Sequence, residues 1–347
     1  MIRGKIIAIA FLAGMLSCSN NDSPRVPLTN QNLESTNRPV NPSKRLVAEC
    51  ALPRFSPTKL SQTCFFKLVL PLEKETSIYS NFFKYEPQYQ AYSDGADKKR
   101  WIYFPPGQQM ITKDLDNWIF SKGTVIFKEF LVGGKKIETR ILEKLSDDIG
   151  SNAWRFSNYV WTKEQDDADL VTNEFYNQST ETRAKYSASE VEQLFKISLP
   201  KTCIACHSGA TDVVNGFNYL QLSSDKIEFN IFQAGDLGLL SHTPKEFDSI
   251  KGSDLDRKSI GYVQVNCAIC HSPTGPGDGD FRHSYLSTSL EDEVFLRTAR
   301  TAGLIDRGQP DTSYLLKMFE SGRMPRIKPV TQDKSGIALI REWISNL

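Results

Sequence analysis

The sequence predicts an α+β chain, with an antiparallel β-sheet or sandwich in its N-terminal part and an α-helical module at its C-terminal end. Two patterns carry this. Between residues 100 and 161, short aromatic and β-branched runs alternate with Gly/Pro turn signals, whereas beyond residue 253 apolar residues recur at helical spacing. A length of 347 residues is too much for one small core and suggests about two domains.

The first element is an address. Arg3 and Lys5 precede an apolar stretch from Ile6 to Leu16, too short to span a bilayer alone, so residues 1–17 read as a signal peptide. The stretch runs into Met15-Leu16-Ser17-Cys18, which resembles the lipobox of bacterial lipoproteins and implies lipid on Cys18; an ordinary signal peptide cut nearby is the alternative. Residues 18–45 are polar and rich in Pro and Asn, and read as a flexible tether.

Strands follow in the segment 46–218. Arg100–Phe104 is aromatic and β-branched and stops at Pro105-Pro106-Gly107. Gly123–Val132 and Ile137–Leu142 flank Gly133-Gly134 and read as a hairpin, and Trp154–Trp161 is a further strand. Ser187–Leu194 reads as a short helix opened by Ser189. Residues 219–253 connect this part to the helical module, 254–347. There Ser253–Cys270 reads as a helix with Ile260, Val263 and Cys267 on one face, stopped by Pro273 and Gly275. Ser313–Phe319 and Lys334–Ile344 read as two more, the last with Ile337, Leu339, Ile340, Trp343 and Ile344 as its apolar stripe.

The chemistry is concentrated in two copies of one pentapeptide, Cys203-Ile204-Ala205-Cys206-His207 and Cys267-Ala268-Ile269-Cys270-His271. C-x-x-C-H is the attachment site of c-type haem: thiols at i and i+3 of a helical turn share a face and can bond the two vinyl groups of one porphyrin, while the adjacent histidine meets the iron. Two covalent haems are expected, with Cys203, Cys206, Cys267 and Cys270 as thioether positions and His207 and His271 as axial ligands. An all-thiolate zinc site is the rival, but the pairs lie far apart and such a site needs no histidine after each pair. A thioredoxin-like redox pair is disfavoured because neither motif follows a βαβ pattern. Of the seven cysteines, Cys50 and Cys64 remain. In an exported protein they can form a disulfide closing a loop of about 15 residues and contributing roughly 3 kcal/mol, or stay as buried thiols.

Three resemblances add to this. Residues 254–347 resemble class I cytochrome c domains through the C-x-x-C-H helix, Gly308-Gln309-Pro310-Asp311-Thr312-Ser313, Met324-Pro325 and the final helix with Trp343-Ile344. The resemblance implies that Met324 is the sixth iron ligand opposite His271; an ordinary loop methionine is the alternative. Residues 118–218 resemble the β-sheet haem domain of cytochrome P-460 and cytochrome c′-β, through Trp118–Glu129, Glu138-Thr139-Arg140 and Cys203–His207 followed by Asp212-Val213-Val214. That likeness implies a proximal His207 and a haem able to keep an open position. From about 80 to 285 the chain resembles an uncharacterised bacterial family of exported cytochrome-like proteins, through Ser93-Asp94-Gly95-Ala96-Asp97-Lys98-Lys99-Arg100-Trp101 and the two haem motifs. Asp94-Gly95 also reads simply as a turn before a strand.

Two of the four histidines remain, His242 and His283. Either can supply a sixth ligand to the first haem, and a solvated or structural histidine is the alternative for each. Gly275–Asp280 reads as a flexible loop over a haem edge, and Asp166, Asp167 and Asp169 as a solvated rim. Lys plus Arg (42) balances Asp plus Glu (41), so no long-range field points to nucleic acid. Together these readings predict an exported, membrane-tethered cytochrome that passes electrons between redox partners in the periplasm or at the cell surface. An enzyme or gas sensor with an open first haem, and a ligand-binding module stapled by haem, are the rival classes.

Overall fold

The computed structural model describes residues 49–69, 81–191, 195–197, 199–326 and 329–347. The signal peptide, Cys18 and the tether therefore lie outside the described residues. Those that are described belong to one compact unit, Ser43–Leu347.

A six-stranded antiparallel sheet runs in simple sequence order: β1 (Phe82–Lys84), β2 (Asp97–Tyr103), β3 (Val125–Val132), β4 (Lys135–Lys144), β5 (Trp154–Trp161) and β6 (Ala168–Leu170). All six named strands lie in one sheet, so of the two expected arrangements it is the single sheet that forms, and chain without strands covers its faces. Gly133 and Gly134 both take positive φ (57° and 79°) and close the β3–β4 hairpin in two residues. Strand alternation sends Trp101, Phe127, Ile141 and Tyr159 to one face, where they bury Phe65 of α1 (Cys64–Leu68). That face is sealed by a disulfide between Cys50 and Cys64, whose Cα atoms are 5.5 Å apart. Asp167 and Asp169 are tied in as well rather than left as a solvated rim. Asp167 accepts from the Ser61 amide (3.0 Å), and Asp169 pairs with Lys59 and with Lys185 (3.1 Å).

The opposite face holds Ile102, Ile126, Leu142 and Phe156, against which the chain beyond the first motif folds back. Phe217 is the hub of this layer. Its ring meets Tyr85 at 4.9 Å and lies about 6 Å from Phe104, Trp118, Phe120 and Phe229. Two short helices, α5 (Tyr219–Leu222) and α6 (Ile231–Asp236), bury Leu222, Ile231 and Ala234 here. Residues 219–253 thus build core as well as connect. Between β6 and α5 the chain forms α2 (Thr180–Arg183), α3 (Ala188–Val191) and α4 (Pro200–His207). The helix expected over 187–194 starts at Ala188, with Ser189 inside it, and residues 192–194 lie outside the described set.

The helical part comprises α7 (Asp254–Asn266), α8 (Val294–Thr301), α9 (Tyr314–Glu320) and α10 (Lys334–Asn346). Ser253 caps α7 through a reciprocal pair with Asp256. The helix ends four residues earlier than the apolar pattern predicted: at Cys267 φ opens to −116°, and the amides of Cys267 and Ala268 both close on the Val263 carbonyl. Across α7 and α10, Trp343 donates its indole N–H to Asp256 (2.8 Å) and Tyr262 its hydroxyl to Asp333 (2.8 Å). The Asp94-Gly95 turn ties this part to the sheet. Asp94 accepts from the Thr331 amide (3.1 Å), and the Tyr92 amide donates to Asn266 (2.8 Å), the residue before Cys267. Among the described residues no helix is long and apolar enough to cross a membrane.

Candidate functional site

The first pentapeptide forms the last five residues of α4, started by Pro200 at its N-terminus. Helix α4 lies across β5: the Cys203 thiol is 3.9 Å from Asn158 Oδ1 and the His207 ring meets Phe156 edge-on at 5.4 Å. His207 Nδ1 lies 2.6 Å from the carbonyl oxygen of Val213. A carbonyl only accepts, so Nδ1 carries the proton and Nε2 the free lone pair. Burial pushes the His207 imidazole down to about 4, and Lys128 and Arg140 add to this against the Val213 hydrogen bond, so the ring is neutral at pH 7. Val213 itself is β-branched with φ of 54°, a strained conformation for such a residue. Its neighbour holds it there. The buried carboxylate of Asp212 takes Lys144 (2.6 Å), the Trp154 indole N–H (2.9 Å) and the Phe120 amide (2.9 Å).

The second pentapeptide occupies a separate turn just beyond α7, with the amides of Cys270 and His271 donating to the Cys267 carbonyl (3.0 and 2.9 Å). Its histidine is oriented as the first one is: His271 Nδ1 donates to the carbonyl of Asp278 (2.5 Å), again leaving Nε2 free. The loop 275–280 supplies that carbonyl by wrapping the ring, and only glycine fits at 277, where a Cβ would lie 2.8 Å from His271 Nδ1. Phe281 stacks on the imidazole at 4.5 Å with 12° between planes.

The structure brings the two motifs into contact. The Cys270 thiol lies 3.6 Å from the Ala205 carbonyl, and Ser272 and Thr274 donate to the Gly209 carbonyl (3.0 and 3.1 Å). Gly209 permits this closeness, since a side chain there would strike the Ile269 carbonyl. The neighbouring Cys206 thiol holds Cys270 down at about 7 and is itself raised, while burial pushes Cys267 up to about 12. Among the described residues no three His, Cys, Asp or Glu side chains converge to hold a metal ion directly.

The remaining candidates separate. His283 is buried with both ring nitrogens engaged by carboxylates, Nδ1 by Glu293 (2.8 Å) and Nε2 by Asp248 (2.9 Å). Burial lowers its pKa, but the two carboxylates outweigh this and hold it up at about 9. With both nitrogens engaged by carboxylates, His283 offers no lone pair for iron in this arrangement. His242 is exposed in a turn beside Ser241 (3.2 Å), its amide donating to Thr112. Met324 is half-buried in the turn after α9, its amide donating to the Met318 carbonyl (3.0 Å).

Sequence reading missed the carbonyls of Val213 and Asp278, because backbone acceptors carry no residue signature. It also missed a cross-strand row on the sheet face toward α4. Arg100 pairs with Lys128, Lys128 with Arg140, and Arg140 with Asn158, the residue beside the Cys203 thiol. No family model matches the chain, and neither does a curated protein or a solved structure.

Each motif thus offers two thiols and one imidazole nitrogen whose tautomer is fixed for ligation, a donor set that fits covalent haem c.

Proposed function

We propose that this chain is an exported dihaem c-type cytochrome, tethered to the membrane through lipid on Cys18, that transfers electrons between extracytoplasmic protein partners. The observation that carries this reading is the identical treatment of the two motif histidines: each Nδ1 is bonded to a backbone carbonyl, so each Nε2 is presented as a ligand. Bound haem supplies a one-electron couple at its iron. The protein supplies the rest. Cys203 and Cys206, then Cys267 and Cys270, anchor the two groups, and His207 and His271 orient them. The contact between Gly209 and Ile269 holds the two motifs together, which supports electron passage between the groups they would carry, and Met324 would serve as the sixth ligand of the second site. The helical part reads as a class I cytochrome c module and the sheet as the carrier of the first haem.

A second reading is favoured by one observation, the carboxylate clamp on His283. With that histidine spoken for, the first site lacks its more enclosed distal candidate, which suits an enzyme or gas sensor with an open iron position fed by the second haem. An absorption spectrum of the reduced holoprotein before and after carbon monoxide separates the two. Two low-spin haems that ignore carbon monoxide are expected for the carrier; a shifting high-spin component selects the second reading. Met324→Ala should abolish a methionine-to-iron band near roughly 695 nm, and a surviving band would exclude Met324 as ligand.

A further inference from the structure

Like charges set directly opposite each other destabilise an antiparallel pair, and the cost grows where solvent is withdrawn. The sheet face toward α4 nevertheless carries three cations in unbroken cross-strand register, Arg100, Lys128 and Arg140. Arg100 is buried and the other two are half-buried. Apolar residues border the row on one side, Ile102, Ile126, Leu142 and Phe156, and Phe130 and Val160 lie on the other. Lys98 extends the positive charge into the next row. Among the carboxylates set against them, Glu138 bonds Arg140 at 2.8 Å, Glu86 acts on Arg100, and Asp97 and Asp333 act on Lys98. Arg100 reaches Gln90 (3.2 Å), Lys98 reaches the Ala91 carbonyl, and the Lys128 ammonium stands over the Phe130 ring at 4.9 Å. Burial, then Arg100, Arg140 and Lys98, hold Lys128 well below its usual range against the pull of Glu138.

The row also has a direction. It starts at Asn158, in contact with the Cys203 thiol, and runs away from α4 across three strand intervals, roughly 14 Å. A porphyrin bonded at Cys203 and Cys206 and laid on this face would carry its two carboxylates on the edge far from the thioethers, over Lys128 and Arg100. We propose that the Arg100–Lys128–Arg140 row is an anion seat for carboxylate or oxyanion groups beside the first haem motif. This rests on the haem reading. Its occupant is either the haem's own propionates or a dissociable oxyanion, and the two sources share one recognition chemistry.

The test uses full-length holoprotein carrying Lys128→Met, Lys128→Arg or Arg100→Gln, with redox titration and resonance Raman of the propionate modes. Peptide masses first establish covalent haem at Cys203 and Cys206 in the unaltered protein; their absence would sink the haem reading itself, separately from the seat. With haem present, Lys128→Met should disfavour reduction of the first haem about tenfold, or ~59 mV for one electron, and Lys128→Arg should restore it. A shift of the propionate modes, with no response to added phosphate or nitrate, identifies the propionates as occupant. A phosphate- or nitrate-dependent potential in the unaltered protein, lost in Lys128→Met, identifies a free oxyanion. If Lys128→Met does not retain haem, Arg100→Gln gives the same readouts. Potentials, propionate modes and anion responses equal to those of the unaltered protein in the variants would overturn the seat.

Discussion

At the scale of single residues, the two thiols of the second motif differ in their state. Cys270 is half-exposed and held near 7 by the Cys206 thiol, whereas Cys267 is pushed to about 12 by burial. Nucleophilic reactivity follows the thiolate, so in haem-free protein at pH 7.5 iodoacetamide should label Cys270 before Cys267, by at least tenfold in rate. Peptide mass mapping over time checks this, and equal rates would show that the Cys206–Cys270 contact does not persist. The cysteine and histidine spacing of this site was fully legible in the sequence, because C-x-x-C-H is local. The groups that aim the histidines were not. Val213 and Asp278 act through carbonyls, and only folding of the 208–213 and 272–278 turns puts those oxygens against the rings.

At the scale of elements, the His283 clamp joins two that are distant in sequence: Asp248 from the segment before α7 and Glu293 at the start of α8. Its pH dependence has a definite sign. A histidine raised from 6.5 to about 9 keeps its proton in the folded state where the unfolded chain has lost it. Stability from this group is therefore complete below about pH 6.5 and is lost as pH rises through 9. Urea titrations at pH 6 and pH 9 should show the drop, and His283→Gln should flatten it while costing about 3–5 kcal/mol at pH 6, because Asp248 and Glu293 are left facing each other. A variant with an unchanged pH slope would remove the clamp from the account. Strands β2 to β5 were readable because each runs for at least seven residues rich in aromatic or β-branched side chains and ends at a turn, even though burial on both faces removes a clean alternation. Strands β1 and β6 were missed, since three residues are too few to display a period. Helix α7 was read too long because Cys267 continues its apolar face, and nothing local announces that Val263 will take two amides at once. The cationic row could not be read at all: its members come from three strands, and only the register aligns them.

At the scale of the whole molecule, the sheet and the helical part are stitched by the Asp94 and Tyr92 hydrogen bonds and by the seat of Gly209 on Ile269. Parts so joined should lose structure together. Tryptophan fluorescence, dominated by Trp101, Trp118, Trp154 and Trp161 around the sheet, and far-ultraviolet ellipticity, dominated by the helices, are expected to give coincident denaturation curves. Curves separated by more than their error would show two modules that fold on their own.

The meeting of Gly209 with Ile269 also sets an order of events. On the proposed haem reading each motif receives a bulky covalent group, yet the backbone between the motifs is packed too tightly to admit even a methyl at 209. A catalyst that joins such groups to cysteine cannot work inside that contact once it has closed. On that reading the chain would reach this catalyst open, with both pentapeptides still apart, and the closing of the loop 208–213 onto the turn 267–274 would be the last act of maturation.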